Sequence, residues 1–203
     1  MKIVLVGATG AIGGRVLDEA LARHHAVTAT SRDPAKLAAR PGMTAVAANT
    51  ADVATMADTL KGHDAAVLSV KWNENDIAQV VDAIRRSGMK RCLFVVGAGS
   101  LIRTDGRTHF EHMAEKGVVP PTSKPAALAL EAVQKASDLD WTAISPAASI
   151  QPGARTGKFR LGLDQLIEDD KGQSQISRED FAIAILDELE KPQHIRKRFT
   201  AGY

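Results

Sequence analysis

The chain has 203 residues, 44% hydrophobic and 25% charged, with a formal net charge of +2 and a single cysteine. That length suits one domain with a full-sized core, and the near-balanced charge gives no footprint for a nucleic-acid or polybasic-membrane partner. The lone Cys92 excludes an intramolecular disulfide and fits a reducing compartment, and no apolar run reaches the roughly 18 residues of a membrane span.

The first element is a buried strand over Lys2–Val6, apolar at four of its five positions. Because it leads straight into a glycine turn, no signal peptide is expected, and the predicted location is cytoplasmic. The turn reads Gly7-Ala8-Thr9-Gly10-Ala11-Ile12-Gly13, and Ala11 to Arg23 then shows helical spacing, with Ile12, Val16, Leu17, Ala20 and Leu21 on one face. Strand, glycine turn and helix in that order form the context in which a glycine pattern points to a dinucleotide. Gly7 permits the sharp exit from the strand, Gly10 removes a Cβ where backbone approaches a pyrophosphate, and Gly13 lets the helix pack close to the sheet. The free N–H groups and positive dipole end of the helix face the phosphates. The Gly-x-x-Gly-x-x-Gly spacing differs from the commoner Gly-x-Gly-x-x-Gly, so a ligand-free turn or a methyltransferase loop stays open at this point.

Strands and helices then alternate. Ala26 to Thr30 reads as a second strand, Pro34 opens a short helix through Leu37, and Thr44 to Ala48 is a third strand. Asp52 caps a helix to about Leu60; Ala65 to Val70 is a fourth strand, Ile77 to Ser87 a helix closed by Gly88, and Cys92 to Val96 a fifth strand. From Leu101 to Pro125 no strong period is visible, which predicts a long substrate-side loop, a lid or wall. A helix over Lys124–Ser137 and a strand over Trp141–Ile144 resume the rhythm. Gly157 to Ile176 reads as short strands forming a hairpin around the Asp170-Lys171-Gly172 turn, Ser177-x-x-Asp180 caps a last helix to about Glu190, and Arg198 to Ala201 is a final edge strand. The expected fold is α/β, a Rossmann-type doubly wound parallel sheet. It forms one NAD(P)-binding domain over residues 1–203, with the loop at 101–125 and a small C-terminal elaboration at 151–203 on the substrate side.

Several residues could carry chemistry. An acid at the end of the second strand usually binds a ribose 2′-hydroxyl; here Ser31 and Arg32 stand there, and the planar guanidinium matches a 2′-phosphate. The competing reading is a solvated Arg32 paired with Asp33. Ser69, Val70 and Lys71 end the fourth strand on the carboxyl edge, where ligands sit. Trp72 is a wall or half-buried packing. Gly97, Ala98 and Ser100 follow the fifth strand, with Ser100 a hydrogen-bond partner for acceptor or nicotinamide, or else a loop cap. Pro146 and Ala147 end the sixth, where backbone groups could meet a carboxamide. His109 and His112 lack a third ligand nearby, so no metal is expected. Cys92 reads as inert core, and Arg196, Lys197 and Arg198 as a solvated edge. Tyr203 is the only tyrosine, so a Tyr-x-x-x-Lys proton-donating pair cannot exist. A carbonyl receiving hydride needs a positioned acid, whereas a flavin or quinone delocalises the charge.

The chain resembles the atypical short-chain dehydrogenase/reductases, and among them the NADH-flavin reductase-like proteins related to biliverdin-IXβ (flavin) reductase. The residues that carry this are the glycine turn, Ser31-Arg32-Asp33-Pro34, Gly62-His63-Asp64-Ala65 and Val96-Gly97-Ala98-Gly99-Ser100-Leu101. Asp140-Trp141-Thr142, Ser145-Pro146-Ala147, Gly153-x-Arg155-Thr156-Gly157, Ile176-Ser177 with Asp180, and Asp187-Glu188-Leu189 add to them. The resemblance implies NADP(H) in preference to NAD(H), and hydride transfer to a planar small-molecule acceptor such as a flavin. It implies adenine contact at the third-strand end, where an acid is usual and this chain has Asn49 and Thr50. Ser100 and Lys124 are the expected catalytic residues, although Ser123 stands where relatives often carry a tyrosine before the matching lysine. A redox-sensing protein that binds NADP(H) without turnover is the alternative, and a monomer or small homo-oligomer is expected.

Overall fold

The computed structural model describes all 203 residues. Seven strands run parallel: β1 (Lys2–Val6), β2 (Ala26–Ser31), β3 (Met43–Ala47), β4 (Ala65–Leu68), β5 (Arg91–Val95), β6 (Asp140–Ser145) and β10 (Lys197–Gly202). With the antiparallel β8 (Arg160–Gly162) they form one sheet in the order β3-β2-β1-β4-β5-β6-β10-β8. The chain leaves β1 toward β2 and β3 on one side and returns to β4 on the other. Their carboxyl ends therefore diverge beside β1 and leave a crevice, the place where open α/β sheets bind ligands.

The alternation of β1 splits the core between the two faces. Val4 and Val6 join a cluster with Met56, Leu60, Val80, Ile84, Leu130 and Val133, covered by α2 (Val53–Leu60), α3 (Ile77–Ser87) and α5 (Ser123–Gln134). Ile3 and Leu5 join Val16, Leu17, Phe181 and Ile185 under α1 (Gly13–Ala22) and α6 (Arg178–Glu190). Caps set the helix boundaries as read from the sequence: Asp52 accepts Thr55 N–H, Ser177 accepts Asp180 N–H, and Gly88 ends α3 at φ +77°.

Three expectations are corrected. The stretch from Leu101 to Pro125 is not all loop: α4 (His109–Glu115) lies within it, opened by a capping box of Thr108 and Glu111. It is too short for an apolar period to show. The short strands around Lys171 are not partners of one another. β8 pairs with β10, while β9 (Gln175–Ser177) pairs in parallel with β7 (Ser149–Gln151) in a separate two-stranded sheet. The last strand is no edge either, since β10 lies between β6 and β8. Its polar residues suggested solvent, but Thr200 is fully buried and donates to Ser145 O, and Arg198 is buried on internal partners.

Candidate cofactor site

The glycine turn is forced by contact. Gly7 sits at φ +90°, and a Cβ there would come 2.1 Å from Ser69 O. One at Gly13 would lie 2.1 Å from Gly7 O, so α1 can approach β1 this closely only without a side chain. At Gly10 a Cβ would lie 3.2 Å from Gly7 O, while the residue itself is exposed at the mouth of the turn. Gly10 N–H donates to Gly7 O and Gly14 N–H to Gly10 O, whereas the N–H groups of Ala11 and Ile12 take no acceptor within the protein. A shallow cradle with free amide donors at a helix start is the chemistry a diphosphate needs.

Beside it, along the carboxyl edge of β1, β2 and β4, lies a cleft of about 260 Å³. It gathers Gly7, Thr9, Gly10, Ser31, Arg32, Asn49, Thr50, Ser69, Val70 and Lys71, ten of the residues expected from the sequence. The Arg32 side chain is 79% exposed and its nearest acid is Glu74, at 3.9 Å; it does not pair with Asp33. Asp33 instead caps the 3₁₀ turn Pro34–Lys36, accepting Ala35 N–H at 3.2 Å, while its own N–H donates to Ser31 Oγ. Asn49 faces the cleft with its amide oxygen holding Ala51 N–H at 3.1 Å, which leaves its NH₂ for any ligand.

Lys36, Glu74 and Asn75 also line this cleft and were not anticipated. Lys36 follows Pro34 on the same short turn, a spacing signal that was there to read. Glu74 and Asn75 arrive through a turn after β4: Thr50 donates to Asn75 Oδ1 at 2.6 Å, and Lys71 lies 3.3 Å from Glu74. Three cations and two carboxylates thus ring the far end of the cleft.

Other expected residues lie outside its lining. Ala8 and Gly13 are buried beneath the turn, and Ala11 opens onto an adjoining cleft at the start of α1. Gly97 and Ala98 are half-buried at the exit of β5, and Pro146 and Ala147 are buried after β6. Ser100 Oγ accepts from Arg198 Nη1 at 2.7 Å, and Asp164 holds the same guanidinium at 2.8 Å through Nε. This corrects the solvated reading of Arg198. Lys124 is exposed on the first turn of α5 and has no polar partner; the buried Ser123, not Lys124, packs against Gly99. Trp72 is core packing, its indole N–H donating to Val95 O at 2.8 Å. His109 is buried with Nδ1 unpartnered and stacks on His112; burial, then the nearby Arg103, pushes its pKa down. Burial pushes the Cys92 thiol up to about 12, as inert core requires. The hydroxyl of Tyr203 lies 2.8 Å from Asp180 Oδ2 and accepts Ser177 N–H, so it is occupied structurally.

Residues 7–192 match a family model described as NAD(P)H-binding. A Bacillus subtilis protein, YwnB, is 36% identical over 98% of this chain and 97% of its own. A solved Bacteroides thetaiotaomicron structure called an epimerase is 38% identical with a TM-score of 0.88, covering 100% of this chain and 96% of that one. A Streptococcus pneumoniae structure called an NADH-flavin reductase is 29% identical with a TM-score of 0.80, covering 100% and 99%.

Proposed function

The chain belongs to the NAD(P)H-binding family, and from that premise we propose that it is an NADPH-dependent reductase acting on a planar acceptor, a free flavin or quinone-like compound. The observation that carries the reading is the cleft itself, where a glycine cradle leads into a ring of Arg32, Lys36 and Lys71. In this reading the loop from Gly7 to Gly13 holds the diphosphate and Asn49 offers its NH₂ to ring nitrogens of the adenine. Arg32, with Ser31 and Lys36, takes the 2′-phosphate. Asp33, the group that would favour NADH, has its carboxylate engaged by Ala35 N–H.

When bound, a nicotinamide cofactor would supply a hydride, two electrons with one hydrogen, and the reduced acceptor would take one further proton. In this reading Ser100 gives or shares it. A guanidinium has only donors, so Ser100 Oγ must accept from Arg198, and its own hydrogen is left to point at a ligand. The cation behind it strengthens that donor for charge developing on an acceptor oxygen or nitrogen. Reduction of a simple ketone to an alcohol needs a committed acid–base group. The one tyrosine is tied to Asp180. The name of the Streptococcus pneumoniae protein favours the flavin reading.

The test is steady consumption of NADPH with FMN, riboflavin and a quinone panel. Turnover is expected with at least one of them, and negligible oxidation of secondary alcohols with NADP. Tight binding of NADPH without turnover across the panel would replace the reductase with a redox sensor.

A further inference from the structure

Of the fourteen arginines in the chain, thirteen find an acid or a carbonyl, and Arg178 finds none. Its Nε is closed off from solvent and has no partner. A partly buried cation with no counter-charge costs stability, which is why such groups are paired almost everywhere else. Its position adds to the cost. Arg178 is the first residue of α6, where the helix dipole favours acids, and the acids Glu179 and Asp180 follow it.

What Arg178 faces explains it. It lines the cleft at the start of α1 together with Gly10, Ala11, Gly14, Arg15 and Arg40. The one acid there, Asp18, is already held by Arg15 at 2.7 Å and Arg40 at 2.6 Å, and Glu179 turns to Arg15 and Gly153 N–H. No protein anion remains for Arg178. The anion expected at this spot is the one the unpaired amides of Ala11 and Ile12 await. We propose that Arg178 is a binding residue for the cofactor's diphosphate, contributed by the C-terminal elaboration across the mouth of the glycine turn. The inference rests on the reading that this turn holds a dinucleotide. A fork of guanidinium donors suits adjacent phosphate oxygens. Because the diphosphate is common to both cofactors, Arg178 serves NADPH and NADH alike and takes no part in choosing between them.

The experiment titrates NADPH, NADH, ADP and adenosine 2′-monophosphate into the parent, Arg178→Met and Arg178→Lys, and records the melting temperature of each free protein. The Met variant is expected to lose about tenfold in affinity for NADPH, NADH and ADP together, with the Lys variant between it and the parent. Adenosine 2′-monophosphate, which lacks the diphosphate, is expected to bind all three equally. Because the Met variant removes an unpaired charge, its free melting temperature is expected to equal or exceed that of the parent. Unchanged affinity for all three diphosphates would overturn the proposal. So would a fall in free melting temperature accompanied by weaker binding of adenosine 2′-monophosphate, since that marks a structural role. A parent that binds neither cofactor nor ADP would instead bring down the glycine-turn reading and this inference with it.

Discussion

Arg32 and Asp180 are both charged, both sit next to the end of a regular element, and are handled in opposite ways. The Arg32 side chain is 79% exposed with its nearest partner 3.9 Å away. Asp180 is fully buried and accepts from Thr156 N–H at 2.7 Å, Gly157 N–H at 2.8 Å, and the hydroxyls of Thr156 and Tyr203. The contrast extends to the regions around them. In the crevice of β1, β2 and β4, Arg32, Lys36 and Lys71 have only long ion pairs, none closer than 3.3 Å. In the C-terminal part, Glu188 accepts from Arg91, Thr142, Gln193 N–H and His194, and Arg155 crosses to the buried Glu19 of α1. A charge whose partners all lie within the chain is scaffold. One left open at a sheet's carboxyl edge is available to a ligand.

The largest effect should come from breaking the scaffold side. Glu188→Ala removes the buried counter-charge of Arg91 and the acceptor of the Gln193 and His194 N–H groups and should cost about 3–5 kcal/mol, read as a lowered urea midpoint. A loss below about 1 kcal/mol would show that these bonds are spectators. On the ligand side the fold should survive and binding suffer. Gly10→Val puts a branched side chain into the proposed diphosphate site and should weaken NADPH by about 3 kcal/mol, roughly a hundredfold. Calorimetric titration that returns parental affinity in a folded variant would move the phosphate site elsewhere.

Arg32→Ala sharpens the contrast further. It should cost NADPH about 2 kcal/mol, roughly thirtyfold, while NADH affinity hardly moves and unfolding stability stays within about 0.5 kcal/mol. Equal losses for both cofactors would make Arg32 an adenine or scaffold residue. The smallest effect is on acid stability. The Arg155 hydrogen bond leads in holding Glu19 below its ordinary 4.5; for Asp180 burial works the other way, but bonds from Thr156, Gly157 and Tyr203 hold it below 3.8. Carboxyl groups depressed in the folded state stabilise it fully above the ordinary carboxylate range, and that contribution drains away as pH falls through their lowered values. The melting temperature should therefore decline gradually from about pH 5 toward about pH 3, and less steeply in Tyr203→Phe, which has already lost one of the bonds to Asp180. An identical profile in that variant would remove Tyr203 from the account.

How much of this was legible differs element by element. The Lys2–Val6 strand, the glycine turn and the Asp52, Ser177 and Gly88 boundaries all follow from neighbours within a few residues, where sterics and hydrogen bonds act locally, whereas Arg32 comes beside the turn through the parallel pairing of β2 with β1. The Thr108–Glu111 capping box was equally local and available to a closer reading. The run Arg196-Lys197-Arg198 reads as a solvated edge because clustered basic side chains usually face water. Only the packing of β10 between β6 and β8 brings Asp164 and Ser100 around Arg198. The unsuspected cleft residues Glu74 and Asn75 depend on Thr50 reaching across 25 positions of chain.

The sequence by itself determined the alternation of strands and helices, the doubly wound architecture and a glycine turn at the first of its crossovers. Tertiary structure decided which charges are satisfied. Satisfaction depends on partners far apart in the chain, such as Arg155 with Glu19 over 136 positions, and on their absence, as at Arg178. Local rules set backbone conformation because sterics act between neighbours. Whether a charge is scaffold or open to a ligand is set by what the folded chain brings within hydrogen-bond distance of it.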